Sequence, residues 1–570
     1  MKRKIAEKKY LGWIGVLLAM VAINVLASFV HFRYDLTAEK RYSLSTPTKT
    51  LLKNLDQPLE VEVFLKGDFP AGFRKLANSI EEFLLECKEY SNGKLHYKFT
   101  DPLQGLDETQ AKAVIDSVDQ FFSIPAFTLQ APSKVGDEQT KKLVLPGAVI
   151  HYKDSAMGVN FLQGERFLGT EAEQLASLYN NIEAALEYKI ANAIQKITTN
   201  EKPVVVYALG NGEAWGYNVD DAVRSLIKNY TFDTLNLKEV PYIPSQINAL
   251  VILKPSEPFT DQQKLKIDQY VMHGGKVFWM IDNMFAEFDS LRQVQGFIAF
   301  DRGLNLEDIF FNYGVRINQA LLQDMQSDKL PQISNNSSEQ QRLVDWPFFP
   351  ILNGTDHPIS KNLDGIRAMF PTAIDTVEAA GIQKTFLLQS SNNSRLLTAP
   401  AKIDFEFLQI APDEKLFNQK NIPVAVLLEG KFRSLYTGRV PKAIADSFAA
   451  VNMPIRTTSQ NSSKMIVVAD GDIAMNQFSS STGPLAMGTN VFTRYTYANK
   501  DFFTNCIEYL VNPTDILQTR SKEYTLRLLD PRKTEEKRTM WQLINIALPI
   551  LVIILFGFIY QQMRRRKYAM

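Results

Sequence analysis

Seven polar side chains stand just beyond apolar runs in this chain. Asn211 and Glu213 follow 204–209 (VVVYAL), Lys254 and Glu257 follow 249–253 (ALVIL), Asp282 follows 277–281 (VFWMI), and Asp470 and Asp472 follow 464–469 (KMIVVA). Near-continuous apolar runs of this length are expected of strands buried on both faces of a parallel sheet. In an open α/β sheet ligands bind outside the carboxyl ends of the strands, so all seven residues would share one edge. Carboxylates, a lysine and a carboxamide gathered there are candidates for binding a ligand or partner. Alternatively, Glu213, Asp282 and Asp470 could serve as general acid and base if two of them converge on one substrate. The plainer role is local, since Asp and Gly after a strand also turn the chain and cap the next helix.

No recognised catalytic motif joins these residues. The stretch from Gly210 to Gly216 (GNGEAWG) has the form G-x-G-x-x-x-G, one residue longer than the dinucleotide fingerprint. Glu213 would also repel a pyrophosphate at the start of the following helix. A G-x-S-x-G elbow, an H-E-x-x-H pair and a P-loop are all missing from the sequence. Two cysteines and five scattered histidines give neither a disulfide framework nor a metal-ligand spacing. Cys87 falls on the apolar face of a helix, where a buried structural thiol is expected rather than a reactive one. No catalytic residue, cofactor or metal is therefore expected. The 63 basic side chains nearly balance 62 acidic ones, which gives no general attraction to nucleic acid.

The elements that must hold the edge residues are legible from periodicity. At 570 residues the chain has room for roughly three or four domains. Alternation over 59–65, a helical face of Phe73, Leu76, Ile80, Leu84 and Cys87, and alternation over 94–99 form a β-α-β unit with a parallel strand pair. A helix over 107–119 and strands over 126–130 and 144–152 complete a first domain, 31–165. Its order is similar to the thioredoxin-like one, without redox cysteines. A long amphipathic helix within 166–200 links it to a second α/β domain, 201–515. There the buried runs alternate with a helix over 220–229 and another opened by a Thr260-Asp261-Gln262-Gln263 capping box and ended near His273. The result expected is an open parallel sheet with covering helices. Further strands are expected over 386–388, 405–410 and 424–428, a helix over 502–511, and loops over 332–341 and 457–463.

Both ends are strongly apolar. Residues 11–30 are uncharged and long enough, at about 30 Å as a helix, to cross a bilayer. Lys2, Arg3, Lys4, Lys8 and Lys9 precede them, which puts the basic tail 1–10 in the cytoplasm. A signal peptide cleaved before Ser28 is the alternative, but the stretch exceeds the core of ~7–15 residues that such a peptide needs. A second span over 541–560 is bracketed by Trp541 and Tyr560 and contains Pro549. Arg564, Arg565, Arg566 and Lys567 follow it, in a tail over 561–570 that returns to the cytoplasm. With 516–540 as a juxtamembrane stalk, 31–540 becomes an extracytoplasmic body tethered at both ends.

Several local strings carry a resemblance. They are Arg33-Tyr34-Asp35-Leu36-Thr37, Arg41-Tyr42-Ser43-Leu44-Ser45, Lys254-Pro255-Ser256-Glu257-Pro258-Phe259, Gly274 to Asp282 (GGKVFWMID), Glu429 to Ser434 (EGKFRS), and Val468-Ala469-Asp470-Gly471-Asp472. In this order, over nearly the whole chain, they resemble the gliding-motility-associated auxiliary components of ABC transporters in the Bacteroidetes. The resemblance implies a GIFT-like second domain related to type I glutamine amidotransferases. It also implies a non-enzymatic, substrate-binding-type subunit of the inner (cytoplasmic) membrane with a periplasmic body, working with a separate permease and a cytoplasmic ATPase. In the wider group the first strand is often followed by Gly-His-Gly-Glu, and here Asn211 takes the histidine place. The family offers no catalytic residue to carry over. A membrane-tethered envelope hydrolase or amidotransferase-like enzyme, and a purely structural spacer, remain the alternatives.

Overall fold

The computed structural model describes residues 43–132 (68 and 70 apart), 139–162, 172–199, 201–294, 296–332, 342–405, 412–479, 483–512 and 538–568, with a few isolated positions besides. The chain forms two compact units, Met1–Lys522 and Glu523–Met570. Most of the expected span over 11–30, most of the stalk 516–540 and most of the strand expected over 405–410 lie outside the described residues.

In the first domain α1 (Thr46–Lys53) is capped by Ser45, and β1 (Leu59–Val63) buries Leu59, Val61 and Val63 while Glu60 and Glu62 face outward. After α2 (Ala71–Tyr90), β2 (Leu95–Phe99) returns parallel to β1, as the β-α-β pattern requires. The next helix, α3 (Glu108–Phe122), opens on a capping box between Asp107 and Gln110. The strand expected over 144–152 is in fact split. β3 (Phe127–Pro132) pairs with β4 (Gln139–Val144), and a separate β5 (Gly147–Tyr152) pairs antiparallel with β1. Pro146 lies at the break, because it has no N–H to continue a ladder. A hairpin through Lys153 then adds β6 (Ser155–Asn160), which completes the order β2-β1-β5-β6. The long helix α4 (Ala172–Thr198) does more than link. Its Ile182, Leu186, Ile190 and Ile194 are buried in the first core, while Tyr188 packs on the second.

The second domain begins with β7 (Val204–Leu209), α5 (Asp220–Asn229), β8 (Thr231–Asn236), β9 (Ala249–Leu253), α6 (Asp261–Met272) and β10 (Val277–Met280). Helical crossovers by α5 and α6 make the successive strands β7 and β8, and β9 and β10, parallel, and residues 237–248 carry the chain from β8 to β9 without a helix. A long excursion follows: β11 (Met284–Phe285), α7 (Phe288–Val294), β12 (Gly296–Asp301), α8 (Glu307–Tyr313), β13 (Val315–Asp324), β14 (Ser327–Pro331), β15 (Leu343–Gly354), β16 (Ile366–Arg367), β17 (Thr372–Thr376), β18 (Ile382–Gln389), β19 (Ser394–Thr398), β20 (Ala401–Asp404) and β21 (Pro423–Gly430). Only after α9 (Lys442–Ala450) does β22 (Ser463–Val468) come back to lie beside β10, and α10 (Asn499–Val511) packs over the sheet.

The main sheet runs β14-β15-β18-β21-β22-β10-β9-β7-β8. From β8 to β22 it is parallel, and from β22 to β14 it is antiparallel. The open parallel sheet expected from sequence is thus a mixed one. Between Val315 and Gly430 no α-helix intervenes among the described residues, and only antiparallel neighbours can be joined without a crossover. Trp279 anchors the main core edge-to-face against Phe259 and Phe310, and Trp346 anchors a smaller one against Phe349 and Phe370. Each such side chain contributes roughly 1.5–3 kcal/mol through burial.

The second unit contains α11 (Arg538–Tyr568). Its segment Arg538–Arg566 is the one helix among the described residues long and apolar enough to cross a membrane, and none of its most apolar window is buried.

Candidate functional site

Register decides which edge residues meet. Leu253, Met280 and Val468 form one row across β9, β10 and β22. Lys254 therefore lies one residue beyond that row, and Asp282 and Asp470 each lie two beyond it. Lys254 is held by its amide N–H, which donates to the Met280 carbonyl at 2.8 Å, and its φ of 48° is unusual for a residue with a side chain. That conformation accompanies a buried side chain, 9% exposed.

The Lys254 ammonium touches three carboxylates: Asp472 Oδ1 at 2.5 Å, Glu287 Oε2 at 3.0 Å and Asp282 Oδ2 at 3.1 Å. Burial alone would lower its pKa, but Asp282, Asp472 and Glu287 outweigh burial and hold it well above the ordinary lysine value. Gly471 makes the approach possible. A Cβ there would lie 2.7 Å from Lys254 Cβ and 3.2 Å from Asp282 Oδ1. The Gly471 N–H donates to Asp282 Oδ1, and Asp470 accepts from the amides of Asp472 and Met369 at 2.7 and 2.8 Å. Burial, then the charges of Asp472 and Asp282, push Asp470 well above the usual carboxylate range. Burial likewise pushes Asp472 up to about 7, against the pull of Lys254.

Two members were not anticipated. Glu287 follows the short β11, and its Oε1 accepts from Arg302 Nη2 at 2.6 Å. Arg302 follows β12. Neither stands after a long apolar run, so no pattern in the sequence marked them.

The other three expected residues lie apart. Asn211 is fully buried and forms a carboxamide pair with Gln263, donating at 3.2 Å and accepting at 2.8 Å, and it also donates to the Pro258 carbonyl. It thereby pins the loop after β7 to the capping box of α6. Glu213 Oε2 accepts the Asn211 N–H at 2.7 Å, and burial raises its pKa. Its Oε1 is buried without a hydrogen-bond partner among the described residues. Glu257 is exposed and pairs with Lys238 at 2.9 Å.

Chemically, the edge is a closed ion network. Carboxylate oxygens of Asp282, Asp470 and Asp472 lie within 4.8 Å of one another, a hard-oxygen set of the kind a divalent cation takes. The Lys254 ammonium already rests against two of the three. The acids do converge, as general acid–base catalysis requires, but they are turned toward Lys254 and the backbone.

This chain belongs to the ABC-type uncharacterized transport system family, whose model matches residues 202–506. It is an auxiliary component of such a transport system. A domain of unknown function matches residues 38–151. An uncharacterized protein of Borreliella burgdorferi is 20% identical over 427 residues, which cover 72% of this chain and 75% of that protein. Among solved structures, the mmIFT52 N-terminal domain is similar at 11% identity and a TM-score of 0.30, over 54% of this chain and 96% of that one.

Proposed function

We propose that this chain is a membrane-anchored, non-enzymatic subunit that presents a periplasmic body beside a separate permease and cytoplasmic ATPase. The observation that carries this reading is the closure of the sheet edge. The side chains best suited to chemistry there, Lys254, Asp282, Asp470 and Asp472, are consumed by one another and by backbone amides. A buried network of this kind fastens three strand ends together; it does not present reactive groups to a substrate. The convergence of the acids favours an envelope hydrolase as the second reading, and the lysine at their centre argues against it. An association with gliding motility and a GIFT-like second domain rest on the sequence resemblance alone.

The first domain supports the reading as a scaffold. Its strand order is compatible with a thioredoxin-like core, and its Cys87 is fully buried, with the thiol pushed well above its ordinary pKa by burial. The helix α11 supports the partnership. Gln542, Asn545 and Pro549 recur at i, i+3 and i+7 and so share one helical face. Pro549 also leaves the Asn545 carbonyl without its helical donor, and a neighbouring helix is the usual partner for such groups in a membrane.

The test is to purify a tagged chain in mild detergent and identify what accompanies it. A permease and an ATPase are expected, and deletion of 541–570 should release both. Recovery of both at full yield with the truncated chain overturns the proposal.

A further inference from the structure

Two of the five histidines come together where nothing in their spacing announces it. Glu60 of β1 is in register with His96 of β2 on one side and with His151 of β5 on the other. Side chains at in-register positions point to the same face of a sheet, so His96, Glu60 and His151 form one row across three adjacent strands. The row continues into β6 at Ala156, an exposed small residue that leaves room beside His151. The row behind it holds Lys98, Glu62 and Val149. Val149 is buried under α3 with Val118, whereas His96 and Glu60 are exposed and His151 is half-exposed.

We propose that His96, Glu60 and His151 form a binding site for a zinc-class transition-metal ion, with Glu62 within reach as a further ligand. Neighbouring strands lie about 4.8 Å apart, so the two histidine Cα atoms stand about 10 Å from each other. Imidazoles leaning inward from both sides can meet a metal above Glu60 at bond lengths of about 2.0–2.1 Å. His151 Nε2 lies 3.9 Å from Glu62 Oε2, and the Lys98 ammonium bridges Glu60 at 2.9 Å and Glu62 at 3.5 Å. Two imidazoles and a carboxylate suit zinc and its neighbours, and an exposed face leaves a coordination position for water or for a partner's side chain. The Lys98 ammonium competes with the metal for the same two carboxylates.

The experiment uses the full chain in detergent, carrying a tag without histidine, titrated with Zn²⁺ by calorimetry and with Co²⁺ by absorption spectroscopy. One ion per chain with a tetrahedral cobalt spectrum is expected. His96→Ala, His151→Ala and Glu60→Gln should each weaken binding on the order of tenfold or more. Lys98→Met should strengthen it, a gain that a merely destabilised variant would not give. All four positions are on the surface, and unchanged thermal melting of the metal-free variants checks their folding. Absence of binding at sub-millimolar Zn²⁺, or unchanged binding in both histidine variants, overturns the site; the second result would put the metal elsewhere.

Discussion

Lys254→Met removes an ammonium that touches Asp282, Asp472 and Glu287 and leaves their charge without that neutralisation. Breaking a buried pair from one side costs about 3–5 kcal/mol, so chemical denaturation should show a loss of this order. The loss should shrink at low pH, where Asp472 takes up a proton instead. Asp472 gives the network a pH dependence of its own. Its pKa rises from the ordinary 3.8 to about 7 on folding, so between those values the folded chain holds a proton that the unfolded chain has released. The stability from this group is fully present below the unfolded value and is lost as pH rises through the folded one. Thermal melts from about pH 5 to about pH 8 should fall more steeply for the wild type than for Asp472→Asn. Identical slopes would show that this carboxyl does not titrate there.

At the scale of elements, the parts with local signals were readable and the parts without them were not. The capping box at Thr260 and Gln263 is present with both hydrogen bonds, and the helix runs to Met272 as the periodicity requires. Thr260→Ala should cost about 1 kcal/mol, measured by denaturation, because one amide of the first turn loses its acceptor. A neutral result would mean that tertiary packing alone fixes the start of α6. By contrast β8, an edge strand with an irregular burial pattern, and β6, a hairpin partner, went unread, since neither carries a buried run or a clean alternation. Among the described residues, no helix joins the strands from β13 to β20, and their pairing depends on contacts far apart in the chain.

For the whole molecule, the family match over 202–506 sets the chain in an ABC-type transport system, and the membrane-length helix Arg538–Arg566 gives the chain a candidate anchor. The body contains the sheet edge and the histidine row on separate domains, so the two can be tested independently. Loss of zinc binding in His96→Ala should leave co-purification of transporter subunits unchanged if the metal site is not the docking surface. A loss of both together would assign the row to the partner interface.

The sequence by itself determined the buried strands at 204–209, 249–253 and 277–281, the helices between them, the apolar span near the end and the presence of polar residues at the strand ends. Those features are written in local periodicity, in capping residues and in runs of apolar side chains, each of which acts over a few residues. Tertiary structure decided the partners. Asp472 met Lys254 because β22 returned beside β10 after a long excursion, and Asn211 was drawn instead into a carboxamide pair with Gln263. Glu287 and Arg302 joined the network from loops that no pattern distinguishes. Likewise His96 and His151 became neighbours of Glu60 only through strand register. Register is fixed by the sum of many weak pairings across the sheet, and no short window of the chain contains that sum.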